Sequence, residues 1–167
     1  MCGLTDGVMH ELDVLVLTTG FDGHRFMRDI DLVGRDGLTL EEAWRDSTQA
    51  HRCMTIPGFP NFFALIGPNS PIGNFSLILM AEMQVDYMLN LIEPLREGRA
   101  SAIVPTAHAA AAFNAELREA MKSTVWVSGC RSWYLDKNVT PVTWPWSFDR
   151  FEADMRTVRF DEFELIA

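Results

Sequence analysis

Two glycine-containing turns are the strongest candidates for chemistry in this sequence. The first is Thr19-Gly20-Phe21-Asp22, directly after the apolar run 12–18, and the second is 67–74, which reads GPNSPIGN. Small residues let a ligand approach the backbone, and N–H groups before a helix attract an electron-rich oxygen. Both turns therefore suit the pyrimidine edge of a flavin. On spacing alone, a plain turn and helix cap is the commoner explanation.

Two further groupings could hold a reactive cysteine. His51 and Cys53 would share a face if they lay on one strand, and could then form a base and a nucleophile. No orienting acid or oxyanion hole accompanies them. Cys130 beside Arg131 could have a lowered pKa. We expect no metal site in this chain, because no Cys/His cluster has metal-ligand spacing. We also expect that no residue of this chain is a catalytic residue.

The composition excludes several classes of protein. The 167 residues are 48% apolar and 22% charged, which is a globular balance for about one domain. A net charge of −9 argues against nucleic acid and anionic membranes as partners. The apolar stretch 75–92 contains Glu82, Gln84 and Asp86, so it predicts a buried helix rather than a membrane span. Three scattered cysteines and no signal peptide favour a reducing cytoplasm.

The elements that must position the two turns can be outlined from the sequence. Residues 12–18 and 62–66 read as buried strands, the first of them in a parallel sheet. Thr39 with Glu42 predicts a helix start with a capping box. A mostly buried helix is predicted from Asn74 or Ser76 to about Ile92, and another over 106–122. An aromatic-rich, mostly helical region follows, and most of its aromatics are expected to pack in the core.

Three ordered segments are similar to motifs of class B flavoprotein monooxygenases. Residues 13–22, DVLVLTTGFD, resemble the D-x-(V/I)-(V/I)-x-A-T-G-(F/Y) segment, with Thr18 in place of alanine. Residues 56–61, IPGFPN, and 67–70, GPNS, resemble (V/I)-P-G-F-P-N-(L/F)-F and G-P-N-(S/T). Residues 130–136, CRSWYLD, with a Trp-Pro pair downstream, resemble the C-x-S-W-Y and W-P motifs of the Baeyer–Villiger branch.

This resemblance implies an oxidoreductase with FAD- and NADPH-binding domains that inserts one oxygen atom from O2 into a ketone. The expected fold class is α/β, a partial dinucleotide-binding fold with a helical, aromatic-rich carboxyl-terminal region. Residues 1–22 would be the last strand region of the NADPH domain and the crossover. Residues 23–98 would complete the FAD domain, and 99–167 would form the substrate-side region.

Site residues are carried over from matching motif positions. Those expected where the chain crosses from the NADPH domain toward FAD are Thr19, Gly20 and Asp22. Those expected to border the isoalloxazine, with backbone N–H groups toward its N1 and C2 carbonyl, are Gly67, Pro68, Asn69 and Ser70. Trp133 matches a tryptophan that contacts NADPH and the substrate side of the pocket.

The chain also departs from the family pattern. The sequence contains no GxG, so the glycine-rich pyrophosphate loops of the family have no counterpart. Asn74 stands where many relatives carry a histidine. We therefore expect the isolated chain to be inactive and to need an amino-terminal FAD/NADPH-binding segment in cis or in trans. The alternatives are a non-catalytic remnant that binds a partner, and a monooxygenase that oxidises heteroatoms.

Overall fold

The computed structural model describes residues 2–3, 7, 9–18, 26–27, 30–73, 75–127, 134–135 and 140–167. The strands are β1 (Cys2–Gly3), β2 (Met9–His10), β3 (Ala102–Pro105) and β4 (Phe163–Ile166). The α-helices are α1 (Leu40–Ala43), α2 (Leu77–Leu91), α3 (Glu93–Arg96), α4 (Ala107–Met121) and α5 (Phe148–Arg156). Short 3-10 turns lie at Arg35–Gly37, Val125–Val127 and Phe160–Glu162.

Side-chain caps fix where the helices begin. Thr39 and Glu42 form the predicted capping box at α1. Ser76 accepts a hydrogen bond from Leu79 N–H at α2, and Thr106 accepts one from Ala109 N–H at α4. Each cap satisfies a backbone donor that has no partner inside its helix. The helix predictions made from these residues are confirmed.

The described sheets are antiparallel pairs. β1 pairs with β2, and β3 pairs with β4 from Ala102 opposite Ile166 to Pro105 opposite Phe163. The second pair joins the end of the chain to the segment between α3 and α4. It was not predicted, because four residues of mixed character carry little strand signal until a distant partner is known.

One large core connects these elements. Met80, Tyr87 and Leu91 of α2 pack with Phe151 and Met155 of α5. The rest of the buried cluster comes from the 51–55 turn, β3, α4, β4 and the aromatic segment: Cys53, Met54, Ile103, Phe113, Leu117, Met121, Trp144 and Phe163. A smaller cluster around α1 contains Leu40, Ala50, Ile56 and Phe59. The expectation that most aromatics serve the core is confirmed for Trp144 and Phe151.

Both predicted strands are corrected by the structure. Residues 12–18 are exposed and pair with no described strand, and 62–66 form an irregular, partly buried segment. A strand is defined by a ladder of hydrogen bonds to a neighbour. Within the described residues, 12–18 has no such ladder, and 62–66 contacts the 51–55 turn through the bond from Ala64 N–H to the Met54 carbonyl without forming one. The expected burial of α2 is also wrong on one side, since Leu77, Ile78, Val85 and Leu89 are exposed.

Candidate functional site

The segment 51–55 is a tight turn with an uncommon backbone. His51 and Thr55 pair as an antiparallel bridge, with His51 N–H donating to the Thr55 carbonyl at 2.7 Å. Arg52 and Cys53 between them both have positive φ, 49° and 62°. Non-glycine residues adopt this left-handed conformation at a cost of about 1–2 kcal/mol each. Surrounding contacts must therefore hold the turn in place.

The loop 67–70, GPNS, packs on this turn. A side chain at Gly67 would collide with the Cys53 carbonyl oxygen and with the Ala64 Cβ. Ser70 N–H donates to the Gly67 carbonyl at 3.1 Å. A glycine is needed at position 67 because two backbone segments touch there. The sequence had suggested a different reason, namely that a ligand approaches the backbone at this position.

Gln84 of α2 ties the loop to the long helix. Its Oε1 accepts a hydrogen bond from Ile66 N–H at 2.8 Å, and its Nε2 donates to Ser70 Oγ at 3.4 Å. Gln84 is completely buried. The signal that could have revealed this role is one amide on the otherwise apolar buried face of α2, where a buried polar group needs partners.

Asn69 is the member of the loop with free hydrogen-bonding capacity. It is 6% exposed and lies in the left-handed region, at φ 68°. Within the part of the chain that the structure describes, its amide side chain has no hydrogen-bond partner. Asn69 lines a cavity of about 50 Å³ together with Ser47, Thr48, Gln49, Asn114, Leu117, Arg118, Thr140, Pro141 and Val142. An amide offers both donors and an acceptor, so this position can bind a ligand edge that carries both.

A charged cluster lies behind the turn. Arg52 donates to both carboxylate oxygens of Glu162, from Nε at 2.7 Å and from Nη2 at 2.9 Å. Burial raises the pKa of the Glu162 carboxyl, but the hydrogen bonds and charge of Arg52 outweigh it, so the net pKa is lowered. Arg52 also reaches the backbone carbonyl of Asp154 at 3.3 Å. The cluster was missed in the sequence because its members lie about 100 residues apart.

His51 joins the same cluster as a neutral imidazole. Its Nε2 lies 2.9 Å from Glu162 Oε2, yet burial lowers the pKa of His51 to about 4, more than the carboxylate raises it. Nε2–H therefore donates to Glu162, and the buried Nδ1 has no partner among the described residues. The ring packs edge-on against Phe113 and Phe163.

The possible pairing of His51 with Cys53 as base and nucleophile is wrong. The two residues lie in a left-handed turn rather than on a strand, and His51 faces Glu162. Cys53 is fully buried, and burial raises the pKa of its thiol. No group of His, Cys, Asp or Glu among the described residues is arranged to hold a metal ion. In the same residues, no helix has the length and apolar character that crossing a membrane requires.

The aromatic segment reaches the far end of the loop. A side chain at Gly73 would collide with the Tyr134 hydroxyl, so Tyr134 lies directly over this glycine. The rings of Tyr134 and Trp126 are in contact, with centroids 4.6 Å apart and planes tilted by 51°. The structure thus brings the 67–73 segment, the start of α2 and the aromatic region together.

The structure describes one of the two predicted turns. Gly67, Pro68, Asn69 and Ser70 are buried in a single loop. The remaining predicted site residues, Thr19, Gly20, Asp22 and Trp133, lie outside the described residues, as does Cys130.

No family model matches the chain. Among curated relatives, an uncharacterized monooxygenase of Mycobacterium tuberculosis is 44% identical over 160 residues, which cover 96% of this chain and 32% of the relative. A Baeyer–Villiger monooxygenase of Streptomyces coelicolor is 38% identical over 96% of this chain and 32% of its own. An FAD-binding monooxygenase of Dothistroma septosporum is 32% identical over 96% of this chain and 26% of its own.

Solved structures agree with these relatives. A closed crystal structure of cyclohexanone monooxygenase matches 98% of this chain and 32% of its own, with a TM-score of 0.82 and 31% identity. Cyclohexanone monooxygenase from Rhodococcus sp. Phi1 bound to NADP+ matches 97% of this chain and 32% of its own, with a TM-score of 0.83 and 29% identity. The α/β flavoprotein fold class is confirmed. In sequence and in fold, this chain is similar to about one third of a Baeyer–Villiger monooxygenase and of cyclohexanone monooxygenase.

Proposed function

We propose that this chain completes the FAD site and the substrate side of an NADPH-dependent monooxygenase that inserts one oxygen atom from O2 into a ketone. The chain spans about one third of the relatives it matches, so it acts with an amino-terminal FAD/NADPH-binding segment in cis or in trans. Bound FAD supplies the oxygen-activating chemistry. This chain positions the cofactor and supplies no proton-transfer catalyst.

The Asn69 amide, which makes no hydrogen bond to another described residue, carries the proposal. Its neighbour Ser70 is used internally, since Ser70 N–H donates to Gly67 and the Ser70 hydroxyl accepts from Gln84. The Asn69 side chain is therefore available to meet the N–H and C=O groups of a flavin edge. Thr19, Gly20, Asp22 and Trp133 are proposed to complete the cofactor contacts on the NADPH side.

The exposed apolar surface supports the need for a complementary segment. Val14, Val16 and Leu17 are each about three-quarters exposed, as is Ile78 on α2. Residues 14–17 are four consecutive exposed apolar side chains, and exposed apolar surface of this kind favours an interaction site. We further propose the domain division 1–22, 23–98 and 99–167. We also propose a cytoplasmic location, and the free, buried thiol of Cys53 is in keeping with a reducing compartment.

The test is reconstitution. This chain replaces the corresponding third of the M. tuberculosis relative, and the purified chimera is assayed for flavin absorbance and for ketone-dependent NADPH oxidation with ester or lactone formation. We expect FAD to bind the chimera and not the isolated chain, because the pyrophosphate loop is absent from the latter. A folded chimera without FAD would overturn the proposal, and oxygenation of sulfides but not ketones would replace ketone insertion by heteroatom oxidation.

A matched pair of substitutions tests the loop itself. Asn69→Asp in the chimera removes the amide donor and adds a negative charge, so FAD affinity should fall by at least about tenfold. Asn90→Asp makes the same change on the exposed side of α2 and should leave FAD affinity unchanged. Equal affinity in both variants would contradict the role of Asn69.

A further inference from the structure

The loop 67–70 rests on a turn that contains two non-glycine residues in a costly conformation. Arg52 and Cys53 occupy the left-handed region without being glycine. Such conformations persist when surrounding contacts over-determine them. Hydrogen bonds within the turn join His51 to Met54 and to Thr55, and further contacts come from elsewhere in the chain.

The strongest of these contacts comes from the end of the chain. Glu162 lies 110 residues from Arg52 and accepts two charge-assisted hydrogen bonds from it. The Arg52 side chain is 4% exposed and that of Glu162 is 18% exposed. A bidentate pair at this depth fixes the guanidinium in both position and orientation. Arg52 is also held by Asp154 of α5, whose other carboxylate oxygen accepts from Arg150 Nε at 2.9 Å.

The 51–55 turn in turn contacts the 67–70 loop and helps to hold it in position. The Cys53 carbonyl packs against Gly67, and the Met54 carbonyl accepts from Ala64 N–H at 2.7 Å, three residues before the loop. Displacement of the turn would remove the contact at the start of the 67–70 loop and the hydrogen bond that precedes it.

We propose that the Arg52–Glu162 pair is a positioning clamp, by which the carboxyl-terminal segment holds the 51–55 turn and through it the GPNS loop. The part of this proposal that concerns cofactor binding rests on the proposed function. Arg52 and Glu162 are positioning residues. Neither is assigned a contact with the cofactor.

The thiol of Cys53 reports directly on the clamp. In a Cys2→Ser, Cys130→Ser background Cys53 is the remaining cysteine, and its labelling by a thiol reagent requires the turn to open. Glu162→Gln keeps the shape of the side chain and loses its charge, so labelling should become at least about tenfold faster. The control is Glu164→Gln, which breaks the similarly bidentate but exposed pair with Arg35, at 3.1 Å for both bonds. It should leave the labelling rate unchanged.

Low concentrations of urea separate a local effect from a loss of global stability. Local opening exposes little surface, so labelling through it depends weakly on urea, whereas labelling through global unfolding rises steeply. The clamp predicts fast, urea-insensitive labelling in Glu162→Gln. Fast labelling that rises steeply with urea, or labelling as slow as in Glu164→Gln, would overturn it. Should Glu162→Gln fail to fold, Arg52→Lys, which keeps the charge but not the bidentate geometry, gives the same comparison.

The effect of the clamp on FAD binding is measured in the chimera described above. Glu162→Gln should weaken FAD binding at least about fivefold while Glu164→Gln does not, and equal affinities would overturn the link from clamp to cofactor. A wild-type chimera that binds no FAD would contradict the proposed function alone, because the labelling of Cys53 is measured on the chain without cofactor.

Discussion

The α-carbon of Gly67 lies directly against the backbone carbonyl of Cys53. Two segments that are 14 residues apart in the sequence therefore meet backbone to backbone, with no room for a methyl group between them. This contact explains the glycine by internal packing, and it couples the loop to the strained 51–55 turn.

Gly67→Ala is expected to destabilise the protein by about 1–3 kcal/mol, because one of the two backbone segments must move to admit the Cβ. Urea unfolding followed by tryptophan fluorescence measures the change. Gly98→Ala is the comparison, since Gly98 has open space around it and a positive φ of 71°. Its cost should be about 1 kcal/mol, from backbone strain alone. A neutral Gly67→Ala would contradict the packing.

Gln84→Leu should cost about 1–3 kcal/mol, because it leaves the partly buried Ile66 N–H without an acceptor and removes the donor to Ser70. The loop should also loosen locally, which faster hydrogen exchange of the Ile66 and Ser70 amides would report. Glu82→Gln changes an exposed position of the same helix and should alter neither quantity. Unchanged exchange in Gln84→Leu would show that Gln84 does not hold the loop.

Stability should fall between about pH 6.5 and pH 4. The folded pKa of His51 is about 4, below its ordinary value, so the unfolded chain takes up a proton first as the pH drops. The free energy of unfolding then declines by about 1.4 kcal/mol per pH unit, reaching a loss of about 3 kcal/mol near pH 4. Below that range, protonation of Glu162, whose pKa is also lowered, adds to the loss.

His51→Gln isolates this contribution. Glutamine can still donate a hydrogen bond to Glu162 but does not titrate, so the decline between pH 6.5 and pH 4 should shrink. The control, His108→Gln, removes an exposed histidine on α4 and should leave the decline as it is. An identical decline in all three proteins would mean that His51 is protonated normally in the folded state.

Replacing Val14 and Val16 by serine should leave the free energy of unfolding within about 0.5 kcal/mol, because both side chains are about three-quarters exposed. The same change should reduce self-association of the isolated chain, measured by sedimentation velocity, since it removes exposed apolar surface. It should also impair assembly of the chimera. Unchanged association would contradict this role of Val14 and Val16 and would favour the exposed apolar side chains of α2 as the surface that self-associates.

Local chemistry was readable from the sequence. Thr39 with Glu42, Ser76 and Thr106 each cap a helix through hydrogen bonds within three residues, so neighbouring residue types suffice to predict the helix start. The GPNS loop was also found, because proline, glycine and asparagine restrict a short segment strongly.

Long-range relationships were decided by the tertiary structure. Residues 12–18 have the apolar, β-branched composition of a strand, yet strand pairing depends on a neighbour that composition does not specify. The role of Gln84, the pairing of β3 with β4 and the ion pair between Arg52 and Glu162 join residues 18 to 110 positions apart. Residue types and spacing thus determined the caps, the loop and the family resemblance. The contacts that hold the loop in position exist only once folding brings together residues that lie far apart in the sequence.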